Sequence, residues 1–223
     1  MSLFITYSEE ASEYVLHPAG YAVLVVLMLL VFFLGSSFLS RQKTTRASTR
    51  QLAFSGIAIA FAMIASTFLK LASLPFGGSI TAFSMLFICL IGYIYGPKAG
   101  IMTAVAYGIM QLIIDPYLFT PVQVLLDFPL AFGSLGLSGI FWKSRHGLLK
   151  GYILGVTGRY LFHVISGYVF FAEYAPDNMN PILYTLGYNA TYIVPELIAT
   201  IIIIAIPPMA NAIVRVKEMA NAA

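Results

Sequence analysis

Charge is what this sequence has least of. Asp, Glu, Lys and Arg together make up 9% of its 223 residues, against about 25% in ordinary soluble domains. A chain with so little polar surface cannot be wetted on all sides, which excludes a soluble globular enzyme. The single cysteine, Cys89, excludes an internal disulfide; inside an apolar run it reads as a small packing residue. There is no G-x-x-x-x-G-K-[ST] segment, so the chain is not its own ATP-hydrolysing engine by the usual route. No internal repeat is visible, which counts against an inverted-repeat secondary transporter. The opening MSLFITYSEEASEYVLHP is acidic where a secretory signal is basic, so the run after Pro18 is expected to be a retained first helix.

Apolar residues are what the sequence has in abundance, at 60%. They fall in runs close to the roughly 20 residues needed to cross a hydrocarbon core at 1.5 Å per residue. Seven spans are expected, near 19–40, 51–70, 80–96, 98–114, 120–142, 149–171 and 187–210. Gly96 and Pro97 force a tight turn between the third and fourth. Pro129 and Pro195 are expected as tolerated interruptions, because neighbouring helices resatisfy the lost hydrogen bond. The fold class predicted is therefore an all-α membrane protein, a compact six-helix bundle over 51–210 plus one N-terminal transmembrane helix over 19–40. The remaining units are a segment 1–18, a basic loop 41–50 and a tail 211–223.

The net charge of +3 reports topology rather than a polyanion partner. With the N-terminus outside, Arg41, Lys43, Arg46, Arg50, Lys98, Lys143, Arg145, Lys150, Arg215 and Lys217 all fall on the inside. Glu9, Glu10, Glu13, Asp115, Glu173 and Asp177 gather outside. The orientation expected is N-out and C-in.

A polar side chain inside a span costs several kcal/mol when unpaired, and so marks function by default. Asp127 lies in the fifth span. Arg159 and His163 stand four residues apart on one face of the sixth. Asn189, Tyr192 and Glu196 occupy the outer part of the seventh, with Tyr184 expected in the loop before it. Each has a bland reading: a structural ion pair for Arg159, packing for His163, helix bridging for Asn189, an interfacial anchor for Tyr184. Their shared depth instead favours one pocket opening outward. Aromatic faces and a buried carboxylate suit a small organic cation with an aromatic part, and an Asn amide suits a heterocycle edge. In the second span, Gly56 and Ala60, and in parallel Ala58, Ala62 and Ser66, recur every four residues. Small residues in that register permit a partner helix to approach. FGG at 76–78 marks a loop placed to fold over the outer mouth.

These residues resemble a known family, the thiamine-specific substrate-binding (S) membrane subunits of energy-coupling-factor (ECF) transporters. The likeness covers most of 50–205. It rests on FGGSIT at 76–81, LLDFPLAF at 125–132, GRYLFHVISGYVFF at 158–171, YAP at 174–176 and YNATYIVPE at 188–196. The resemblance implies a six-helix core that captures thiamine from outside, and assembly with a membrane scaffold subunit and two cytoplasmic ATPases. It implies no catalysis and no cofactor. By motif, Asp127 and Phe128 match a pair usually found as Glu-Tyr that contacts substrate. Arg159 and His163 match substrate-facing positions, and Phe171 stands where a stacking aromatic, commonly Trp, is found. Tyr184 and Asn189 match residues that hold the pyrimidine ring, and Gly56 to Ser66 resembles the scaffold-docking surface. Glu196 joins the site set as the second acid. Shorter Asp127, the missing hydroxyl on Phe128 and the smaller ring of Phe171 leave room for a thiamine precursor or analogue. A self-sufficient proton-coupled transporter using Asp127, Glu196 or His163 is a second reading. A membrane enzyme on His163 and Asp127 is disfavoured, because Ser166 is only three residues from His163 and no separate nucleophile emerges.

Overall fold

The structure, a computed structural model, describes residues 5–8, 13–16, 19, 26 and 47–222. The expected span 19–40 therefore lies outside the described residues apart from two positions. Near the start, β1 (Ile5–Ser8) and β2 (Glu13–Leu16) pair as an antiparallel hairpin.

Six helices then run up and down. They are α1 (Thr49–Phe68), α2 (Ser84–Tyr95), α3 (Pro97–Ile114), α4 (Pro121–Phe141), α5 (Gly147–Phe171) and α6 (Pro181–Ala205). All but the 12-residue α2 have the length and apolarity to cross a membrane. The start signals are local. Ser48 caps α1, Thr120 caps α4, and Asn180 caps α6 with its Oδ1 2.9 Å from the Ile182 N–H. Pro97, Pro121 and Pro181 sit at first helical positions, where a missing N–H does no harm. Between α1 and α2, β3 (Lys70–Ser73) and β4 (Ser79–Thr81) form a second antiparallel hairpin with a bulge near Lys70.

Three boundaries differ from the sequence expectation. The third span begins at Ser84 rather than 80, because 79–81 pairs as strand. The last begins at Pro181 rather than 187, since the Asn180-Pro181 cap starts the helix early, and Tyr184 is helical. That span also ends sooner, at Ile206: extended backbone there and Pro207 open a separate helix, α7 (Pro207–Asn221). This last helix crosses the end of the bundle opposite the β3–β4 hairpin. Its Ile213 and Ala220 are buried, Lys217 Nζ donates to the Trp142 carbonyl at 2.5 Å, and the same ammonium lies 3.8 Å from the centre of the Tyr93 ring.

The bundle is turned inside out relative to a soluble one. Along α1, Leu52, Ile57, Phe61, Ile64 and Phe68 are more than half exposed, while Ala58, Ala62 and Ala65 are buried. Large apolar side chains thus face lipid and small ones face protein, the arrangement expected where hydrocarbon is the solvent. This corrects the expected partner face. Ala58 and Ala62 pack internally and Ser66 faces a cavity; Gly56 and Ala60 alone remain on the surface.

At the α7 end the helices touch backbone to backbone. A Cβ on Gly136 would lie 2.2 Å from the Ile101 nitrogen, one on Gly139 2.3 Å from the Pro97 nitrogen, and one on Gly151 2.3 Å from the Ser138 carbonyl oxygen. Ser138 Oγ donates to the Cys89 carbonyl at 2.9 Å, and Cys89 itself is buried with its Sγ 3.5 Å from the Leu135 carbonyl. Gly96, with φ of 90°, makes the α2–α3 turn that a side chain would strain.

Candidate functional site

The hairpin end of the bundle is hollow. A cavity of about 990 Å³, its open mouth included, is lined by all of the expected site residues except Glu196.

Asp127 is placed there by a break in α4. Pro129 has no N–H to give, and the helix answers by widening into a π turn over Leu126–Leu130 before tightening into a 3-10 stretch from Ser134. Within the widened turn, the Asp127 carboxylate accepts three hydrogen bonds: from Gln123 Nε2 at 2.6 Å, from Ser166 Oγ at 3.0 Å and from His163 Nδ1 at 3.0 Å. The tautomer follows from what lies on the other side of the ring. Arg159 Nε donates to His163 Nε2 at 3.3 Å, so that nitrogen is the acceptor and the proton is assigned to Nδ1. A neutral imidazole therefore joins a carboxylate to a guanidinium. The guanidinium also lies 4.2 Å from the centre of the Phe132 ring. The four-residue spacing of Arg159 and His163 on α5 is what allows this chain to form.

Opposite it, α6 contributes Tyr184, Thr185, Tyr188, Asn189 and Tyr192. Asn189 Nδ2 donates to the carbonyls of Thr185 (2.9 Å) and His163 (3.3 Å), while its Oδ1 accepts from Tyr192 OH at 2.6 Å. One Oδ1 lone pair is left for a ligand. Tyr188 OH donates to the Pro75 carbonyl, tying α6 to the hairpin tip.

The aromatic wall gains two rings from the α3–α4 loop. Tyr117 and Phe119, from the α3–α4 loop, pack on Phe171 with centroids 5.9 and 5.3 Å away, and Tyr174 joins at 6.3 Å. Phe128 is buried and lines the cavity beside Phe132. Gln123 and Tyr117 were not singled out from the sequence, and Ser166 was weighed there only as a nucleophile. Gln123 and Ser166 had a readable signal: Gln123 lies four residues before Asp127, and Ser166 lies three after His163 on the same helical face. Tyr117 had none, since only folding brings its loop to Phe171.

The hairpin closes over part of the mouth. A Cβ on Gly77 (φ of 82°) would lie 2.9 Å from Tyr117, and one on Gly78 2.7 Å from Tyr188 OH, so two glycines permit that approach. Lys70 Nζ and Asp115 Oδ2 pair at 2.7 Å across the rim.

Glu196 does not line the cavity. Its carboxylate is buried one layer behind, accepting from Thr81 Oγ1 (2.6 Å), Ser84 Oγ (3.1 Å) and the Met85 N–H (2.9 Å). The reason is an uncapped helix. Phe83, the residue before α2, has left-handed φ and offers no side-chain cap, and Glu196 meets those N-terminal donors from across the bundle.

The geometry can be set beside known proteins. A model of the thiamine transporter protein family matches residues 52–215. The thiamine transporter ThiT of Bacillus subtilis (strain 168) is 36% identical over 148 residues, which cover 60% of this chain and 77% of that one. ThiT of Lacticaseibacillus paracasei is 26% identical over 166 residues, covering 65% and 83%. Among solved structures, ThiT from Listeria monocytogenes superposes with a TM-score of 0.62 over 73% of this chain and 94% of its own, at 23% identity; that likeness speaks for the all-α membrane fold. With three quarters of its length matched by one family model, this multi-pass membrane chain belongs to the thiamine transporter protein family.

Proposed function

We propose that this chain captures thiamine from outside the cell for uptake driven by ECF partner subunits, with its N-terminus outside and its C-terminus in the cytoplasm. The observation that carries the reading is the single hollow in which an Asp127–His163–Arg159 chain, an α6 face bearing Asn189 and a bowl of aromatic rings meet. Each part suits one part of thiamine. The bowl around Phe171 offers ring faces to a flat cationic thiazolium, Asp127 offers a carboxylate held by three donors, and Asn189 and Tyr184 offer polar edges to an aminopyrimidine. Arg159 and His163 hold Asp127 oriented through the hydrogen-bonded chain, and Phe128 closes the apolar side. Bound this way, the vitamin undergoes no covalent change, in keeping with membership of a transporter family rather than an enzyme family.

Transport needs an engine. The proposed partners are a transmembrane scaffold subunit and two cytoplasmic ATPases. Gly56 and Ala60 support the scaffold contact: both are exposed on α1, and a Cβ on Gly56 would meet nothing within 4 Å, which leaves a shallow notch for another helix.

Calorimetry on the detergent-purified chain tests the ligand. Thiamine is expected to bind with a Kd below about 1 µM, near −8 kcal/mol, and its separate pyrimidine and thiazole halves far more weakly. A folded chain that ignores thiamine overturns the reading. Uptake by the chain alone in liposomes under a pH gradient, without ATPases, overturns the partner assignment.

A further inference from the structure

Counting charges around the cavity leaves one over, and this inference rests on the thiamine reading. Among the described residues, Asp127 and Arg159 both line the wall and cancel through His163. Asp115 at the rim is paired with Lys70. A monocationic ligand entering that wall finds no net opposite charge on it. Among the described residues, Glu196 is a further carboxylate bonded to lining residues, and the donors it accepts from are Thr81, Ser84 and the Met85 N–H, none of them a Lys or Arg.

We infer that Glu196 is a positioning and specificity residue that makes the Thr81 and Ser84 side of the cavity an acceptor surface for a cation. Thr81 and Ser84 both line the cavity, and their hydroxyls lie 2.6 and 3.1 Å from Glu196 and 3.2 Å from each other, so both protons are taken up within this carboxylate cluster. A hydroxyl has one proton and two lone pairs. Once its proton is committed to a carboxylate behind it, the oxygen presents only lone pairs to the hollow in front. The 2.6 Å contact from Thr81 lies in the range of charge-assisted O–H···O⁻ bonds. The Met85 N–H and the positive end of α2 hold the carboxylate in place. Glu196 thus acts on the ligand through the two hydroxyls that it holds. In a region poor in water a charge is felt across a layer of side chains.

The test is Glu196→Gln, compared by calorimetry for thiamine and for its neutral thiophene isostere, in which carbon replaces the thiazolium nitrogen. An amide must donate to at least one of the hydroxyls, turning that oxygen's proton toward the cavity. Thiamine affinity is expected to fall at least tenfold while the isostere changes less than about threefold (the latter under 0.7 kcal/mol). An equal fall for both ligands would show a merely structural role, and no change for either would show that the side chain carries no charge; either overturns the inference. Thr81→Val gives the same discrimination should Glu196→Gln fail to fold. Absence of thiamine binding to the unmutated chain is a separate outcome, which rejects the thiamine reading itself.

Discussion

The two ends of this bundle use its helices in opposite ways. At the α7 end, Gly92, Gly100, Gly136, Gly139 and Gly151 bring backbones into contact and leave no room between them. At the hairpin end the helices carry Tyr, Phe, Asp, His and Asn, and they enclose a cavity. Without a hydrophobic driving force between helices in lipid, close packing and interhelical hydrogen bonds must hold the bundle together. Concentrating that packing at one end lets the other stay open without the helices drifting apart. The solid end is a foundation, and the hollow end can be specialised for a ligand.

Breaking the solid end should have the largest effect. Gly139→Val places a branched side chain against the Pro97 backbone, which cannot yield as a flexible side chain would. Loss of the monodisperse folded species in detergent is expected on size-exclusion chromatography. Gly56→Leu, on the open surface of α1, should leave that species intact, and equal behaviour of the two variants would dissolve the contrast.

At the hollow end the effects should appear in affinity instead of folding. Asp127→Asn turns an acceptor of three hydrogen bonds into a group that must also donate, which costs about 2–3 kcal/mol, or roughly 30- to 150-fold in thiamine Kd. Asn189→Ala should weaken thiamine at least tenfold by calorimetry, because it releases Tyr192 and removes a ligand acceptor together. Smallest of all is Lys70→Ala. The rim pair is exposed, with Asp115 at 65%, and such pairs contribute about 0–1 kcal/mol. Thiamine Kd should move less than about fivefold; a larger change would mean that the pair holds the hairpin down over the mouth.

Reading the sequence found the hollow end far better than the solid one. Asp127, His163, Arg159 and Asn189 were visible because an ionisable or amide group in an apolar run is conspicuous. The packing glycines were not: Gly96 was read only as a turn, although Gly92, Gly96 and Gly100 repeat every four residues as plainly as the Gly56 to Ser66 face. That face was assigned to a partner, and Ala58, Ala62 and Ser66 instead serve the chain's own interior. A small-residue stripe says that something comes close, not whether it is another part of the same chain. Glu196 illustrates the same limit for charge: its place behind the wall depends on an uncapped helix more than a hundred residues away in sequence.

What the sequence by itself determined was membership of the membrane class, the approximate course of the helices between 49 and 205 and the residue types available for a ligand. Those follow from transfer free energies and helical periodicity, which are properties of local runs. Only the tertiary structure decided that Pro129 widens α4 into a π turn at Asp127, that Tyr117 meets Phe171, and which faces look at lipid and which at protein. Those outcomes depend on how helices distant in sequence share space and hydrogen-bond partners, and no single segment contains that information.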